Sequence, residues 1–429
     1  MFGFTSFAVA PFASLGTVDV SVSLTGVSAT GSIGTATVVA ENNTTLTGVS
    51  ATGSIGTATV SGSHSTTLTS VSATGSIGTA TVVAKANITL TGVSATGDIG
   101  TATVSGNHST TLTGVSATGS IGTATITAKA NITLSGVTGA ATLGVVTAGS
   151  VTPVQVTGVS ASGSIGVVMV VGAQNTNVNG VSASASANTV TVSGKANFSI
   201  TGVSATGSIG TVIVTARANA TLSGLTGAAA IGTATVSGSH STTLTGVSAT
   251  GDIGTVTTTV AQNVALSGVT GAAAIGTATV SGKSNTTLTG VSATGSIGTA
   301  ITEHTAIAIL TGVSATGSVG TLDATGLANI TLSGVTGAAT LGTATVSGNH
   351  STTLTGVSAT GDIGTPTATG MALVTITGVD ATGFIGTVSL KQGATVFLTG
   401  VSATGSVTTP LIWQQINDNQ TPNWVQIAT

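Results

Sequence analysis

Five histidines, nine acidic residues and six basic ones carry nearly all the proton, metal or ion-pair chemistry open to this chain of 429 residues. His64, His108, His240 and His350 occupy one place in a repeating unit, in units that do not adjoin, and His304 falls two places earlier. With successive units about 4.8 Å apart, His64 and His108 are roughly 10 Å apart. That is too far to share an ion whose ligands sit at about 2 Å. In a trimer one His from each chain could meet on the axis, but a loop position argues for solvated imidazoles instead. Asp98, Asp252 and Asp362 replace a serine in a recurring Gly-Ser-Ile-Gly, while Asp323 and Asp380 lie elsewhere. The repeat brings no two carboxylates together as glycoside hydrolysis requires. Glycine-rich stretches mimic phosphate-binding loops, yet no helix follows any of them. Serine and histidine are plentiful without a nucleophile–base pairing. The sequence therefore predicts no catalytic residue, no metal and no cofactor.

What positions these side chains is the phrase Gly-Val-Ser-Ala-Thr-Gly-Ser-Ile-Gly, first met at Gly26 to Gly34 and repeated, whole or edited, every 22 residues to Gly400. A fixed period of this size marks a stack of units that bury their apolar faces only on one another. In the unit from Gly48, Val49, Ala51, Gly53 and Ile55 alternate on one face. The phase shifts at Gly56, so that Ala58 and Val60 become the apolar positions, and it shifts again where Ser70 stands in place of glycine. A period-2 pattern shifting at fixed glycines predicts strands that turn corners. The unit reads as three short strands and a variable loop.

The expected fold is all-β, an elongated β-solenoid or β-helix-like shaft of 22-residue units over residues 18–409. It is flanked by an aromatic anchor over 1–17 and a Trp-bearing module over 410–429. In four units Ala-Thr-Gly becomes Gly-Ala-Ala, as at Gly139 to Ala141. This reads as two inward positions exchanging volume, which close-packed interiors tolerate best. The loop alternates between Ser-His-Ser-Thr-Thr (63–67) and Lys-Ala-Asn-Ile-Thr (85–89). Lys85, Lys129, Lys195, Arg217 and Lys283 share one place in it with Glu41. Like charges stacked in register repel, and only Lys195 and Arg217 come from adjacent units. Thr, Ser and Asn ladders carry no such penalty and can hydrogen-bond along the stack. The Asn-x-Ser/Thr sequons at Asn43, Asn87, Asn107, Asn131, Asn197, Asn219, Asn285, Asn329 and Asn349 are glycosylation acceptors in form. As turn residues before a Thr-rich strand they need no modification to explain them.

Composition narrows the class further. Only 3% of residues are charged, with a net charge of -3, which offers nucleic acid or an anionic membrane no basic field. Mean hydropathy is +0.60, but no apolar run reaches the length of a membrane helix. The aromatic girdles of a membrane barrel are missing too, so no membrane insertion is expected. Without cysteine, disulfides and thiolate sites are excluded. The first residues lack the basic start of a secretory signal. Phe2, Phe4, Phe7 and Phe12 near one end, and Trp413 and Trp424 near the other, are the candidate attachment residues in a chain that is only 2% aromatic.

A unit with so few large apolar side chains gains less from burial than ordering its 22 residues costs. That balance predicts homo-oligomers, most simply three chains wound together. The start MFGFTSFAVAPFASLG, the GVSATGSIGTATV arrays and the closing WQQINDNQTPNWVQIAT resemble virion structural proteins of tailed bacteriophages, especially those of cyanobacteria. The resemblance implies a trimeric fibre or appendage on the virion, with other virion proteins at one end and a host-surface glycan as a possible contact at the other. It carries no functional residue with it. The expected role is a rigid, non-enzymatic spacer. Two further readings are a bacterial extracellular or cell-surface adhesin or filament, and an ice- or glycan-binding protein using Thr ladders such as Thr57 and Thr59.

Overall fold

In the computed structural model, residues 21–414 are described, apart from 151–152, 261, 305–306, 328, 371–372, 393–394 and 408–410. Among them there are only strands and turns. Each unit contributes two long strands: Thr44–Ala51 is followed by Ile55–Gly62, then by Thr66–Ala73 of the next unit. The first strand of every unit joins one sheet and the second joins another, and every pairing is parallel between residues 22 apart. Leu46 thus lies beside Leu68, and Thr57 beside Thr79. One ladder runs from Val22–Thr25 to Thr395–Ala403, and the other from Ile33–Ala40 to Leu411–Gln414. The result is a two-sided β-solenoid. Its register carries past residue 410, because Ser389 pairs with Leu411 at the same interval.

The unit is therefore built from two strands, not three. Its corners lie at residues 52–54 and 63–65, where the backbone leaves both ladders. The first corner falls inside the phrase, so Ala51 and Ile55 face one another from opposite sheets rather than sharing one. The phase shift at Gly48 is a kink within a strand. Glycines at this place have φ of 62–73°, and Ser70, at φ 55°, is the one non-glycine residue with positive φ among those described. A left-handed L-residue costs about 1–2 kcal/mol. Ser70→Gly should accordingly raise stability by about 1 kcal/mol, net of the entropy glycine adds to the unfolded chain, as denaturant titration would show. Gly56 marks no corner either. At its equivalent Gly100, an added Cβ would lie 2.6 Å from the Gly78 carbonyl oxygen, so close stacking of coils, not backbone handedness, favours glycine there.

Between the sheets lies a dry core one side chain deep from each face. Leu46, Val49 and Ala51 from the first sheet meet Ile55, Ala58 and Val60 from the second, and Leu46 is 0% exposed. The column of equivalents repeats this along the solenoid. One chain thus closes its own core, and the packing reason for winding three chains together falls away. Each interior coil is covered on both sides by its neighbours, so burial is shared along the stack.

The Gly-Ala-Ala edit conserves no core volume. Gly139 is buried but Ala141 is exposed in the corner, so a core methyl is lost and none is gained inside. The corner has its own rule. After each alanine at this place (Ala141, Ala185, Ala229, Ala273 and Ala339) the next coil has glycine, and a Cβ there would overlap the alanine's carbonyl oxygen. Backbones approach too closely for two such alanines in succession. The alternating loop has a similar cause. A Cβ on Gly62 would lie 2.7 Å from the hydroxyl oxygens of Thr44 and Thr66, and one on Gly106 would lie 2.6 Å from Ile88 Cδ1. Glycine coils make room for the side chains of their neighbours, and the loop residues change in step. Phe198 is the extreme case: its buried ring occupies the space that a side chain on Gly194 would fill.

Candidate functional site

The solenoid offers four surfaces: two sheet faces and two corner edges. On the edge at residues 52–54, a serine or aspartate oxygen of several coils accepts a backbone N–H from the coil stacked on it. Ser54 N donates to Ser32 Oγ at 3.2 Å, and Ser76 N to Ser54 Oγ at 3.2 Å. Aspartates do the same: Asp98 Oδ1 accepts from Ser120 N at 2.7 Å, Asp252 Oδ1 from Ala274 N at 3.1 Å, and Asp362 Oδ1 from Phe384 N at 2.9 Å. Ser and Asp serve alike as this local acceptor, while Ala230 and Ala274 stand at the same place without one.

The opposite edge, at residues 63–65, gathers His64, His108, His240 and His350, most of the asparagines and most of the cations, while His304 ends the strand Ile297–His304. His64 Nδ1 lies 3.4 Å from the Glu41 carbonyl oxygen, and His108 Nδ1 lies 3.3 Å from that of Lys85. Each imidazole is laid back on the preceding coil. Among the described residues no three His, Asp or Glu come close enough to hold a metal ion. The sequon asparagines Asn43, Asn87, Asn107, Asn131, Asn197, Asn219, Asn285, Asn329 and Asn349 are exposed along this edge. Asn43 Oδ1 accepts from Ser65 N at 3.1 Å and Asn219 Oδ1 from Ser241 N at 3.2 Å, so asparagine too bonds from coil to coil.

The sheet faces are rows of hydroxyls. Ser135 Oγ donates to Thr113 Oγ1 at 3.3 Å and Thr201 Oγ1 to Asn179 Oδ1 at 2.9 Å, as expected of polar ladders. On the second sheet Thr57 and Thr59 stand in columns that begin at Thr35 and Thr37 and continue as Thr79 and Thr81, then Thr101 and Thr103. Exposed Val145, Met169 and Val171 interrupt that face. So does Asp323, whose Oδ1 is enclosed without a hydrogen-bond partner. Sequence reasoning passed over this carboxylate because only the stacking of its neighbours Ile301 and Thr345 on either side encloses it. Burial, and then the negative charge of Glu303, push its pKa above the ordinary 3.8. The folded chain therefore holds this proton more tightly than the unfolded one. Stability from it is complete below pH 3.8 and is lost as pH rises through the raised pKa. Asp323→Asn should melt higher than the parent at pH 7, with the gap closing near pH 4 in paired thermal scans.

A shallow cleft of about 410 Å³ follows the first-sheet rim where Gly227 and Gly271 replace alanine beside Ala249 and Ala293. It is open, and no ionisable side chain lines it. Of the candidate attachment residues, Trp413 stands in the strand Leu411–Gln414 opposite Lys391. Phe2, Phe4, Phe7, Phe12 and Trp424 lie outside the described residues. No helix among the described residues is long and apolar enough to cross a membrane. No family model, curated protein or solved structure matches the chain.

Proposed function

We propose that this chain is a structural rod, a fibre or appendage component of a phage virion that works as a rigid spacer without catalysis. The observation that carries this reading is the pair of ladders running at one unbroken interval from Val22 to Gln414 around a dry core. Such a body resists bending and presents the same surface along its length. At about 4.8 Å per coil, eighteen coils give a rod of roughly 85–90 Å. Electron microscopy of the purified protein tests the rod, with short particles of uniform length expected. Globular particles, or endless filaments of an adhesin type, would count against it. Immunogold labelling or mass spectrometry of purified virions tests the location, and a protein found only on a bacterial surface would overturn the virion assignment.

The second-sheet face supports one further reading. The hydroxyls of Thr57, Thr59 and their stacked equivalents point outward in rows about 4.8 Å apart, which suits an ordered ligand such as ice or a regular glycan. Thermal hysteresis and glycan-array binding test it, and neither is expected of a spacer alone.

A further inference from the structure

The few charges of this chain are sorted between its two edges. Lys85, Lys129, Lys195, Arg217 and Lys283 all stand at the corner after the second strand and are exposed there. They are five of the six basic residues in the sequence. The exposed histidines His64, His108, His240 and His350 share that edge, and among the described residues Glu41 is the one acid on it. At the opposite corner stand Asp98, Asp252 and Asp362, all exposed, with no Lys or Arg among the described residues of that edge. The remaining described charges lie on the strands: Glu303, Asp323 and Lys391 on the second sheet and Asp380 on the first. In an otherwise almost uncharged body, a few fixed charges dominate the field.

We propose that the acidic edge of one copy docks on the basic edge of another, so that parallel solenoids associate side by side. The occupant is a second copy because both halves of the match are on the same molecule, on opposite rims of a slab of constant width. The contact joins unlike surfaces, so it is heterologous: it closes as a ring of three or more copies where the rotation allows, and otherwise adds copies side by side in an open row. The charges set partner and orientation, while the Ser, Thr, Asn and Gly of the corners supply the contact area. This goes beyond the spacer reading and is separable from it: a single-chain rod would leave the spacer standing and remove the association.

The test is light scattering of the full chain across a salt series. The expected mass is that of three or more chains at low salt, falling to one near 1 M, where the Debye length is about 3 Å. The triple variant D98N/D252N/D362N keeps the Oδ1 acceptors for Ser120, Ala274 and Phe384 while removing the charge. It should fold, by circular dichroism, and stay a single chain. D98K/D252K/D362K makes both edges basic, and K85E/K129E/K195E/R217E/K283E makes both acidic. Each should be a single chain alone, and the two should associate when mixed. A single-chain mass for the unaltered protein at low salt overturns the proposal. So does association of the Asn variant equal to the parent's, or a mixture of the two reversed variants that stays apart.

Discussion

Leu222→Lys is expected to cut the rod in two. Leu222 is 0% exposed, between Ile200 and Leu244 in the same column, near the middle of the ladder. A lone ammonium in that column has no counter-charge within the core and costs several kcal/mol. In a compact domain such a loss unfolds everything. Here each coil touches only its neighbours, so the damage stays local and cooperativity breaks at that place. Limited proteolysis should cleave near residue 222 and leave two resistant halves. Thermal unfolding should resolve into two transitions, one for each half, where the parent shows fewer. Survival of an intact, protease-resistant chain with unchanged unfolding would mean that the core does not bear the load assigned to it.

Phe198→Ala should cost about 3–5 kcal/mol, the usual range for removing a buried aromatic ring. The ring fills space that glycine at 194 leaves open, and its column neighbours are Thr176 and Ala220. Neither is long enough to collapse into the gap. Hydrogen exchange should quicken in the strands Thr176–Ala183, Phe198–Ala205 and Ala220–Gly227 and stay unchanged several coils away. Phe198→Leu, which refills part of the volume, should recover part of the loss. A uniform rise in exchange along the whole chain would argue against nearest-neighbour stacking.

Much of this architecture was legible from the spacing alone. The interval of 22 gave the stack, the alternation gave strands, and the scarcity of adjacent like charges fitted in-register stacking, while the choice between parallel and hairpin strands had no signal in the sequence. The corners were misplaced because Val49, Ala51, Gly53 and Ile55 continue one parity straight through a turn. A three-residue corner restores the parity on the far side, so nothing in the one-dimensional pattern marks it. The Gly-Ala-Ala edit was misjudged for the same reason, since Ala141 looked inward until the turn placed it outside. Phe198 and Gly194 form a pair visible only when the facing strand is known. The sorting of charge onto two rims had a signal in the sequence, as the Asp and Lys places are constant within the unit. What was missing was that those places lie on opposite rims.

Because every coil docks on the next through the same set of backbone bonds, the gene can change the molecule's length only by whole units. Loss of one complete unit leaves all remaining rungs matched and shortens the shaft by one step. Removal of a few residues would throw one coil out of line with the coil beneath it, while the coils beyond keep their own matched interval. Length in this protein is therefore inherited as a whole number. A lineage that needs a longer reach can obtain one through recombination between near-identical stretches of its own coding sequence.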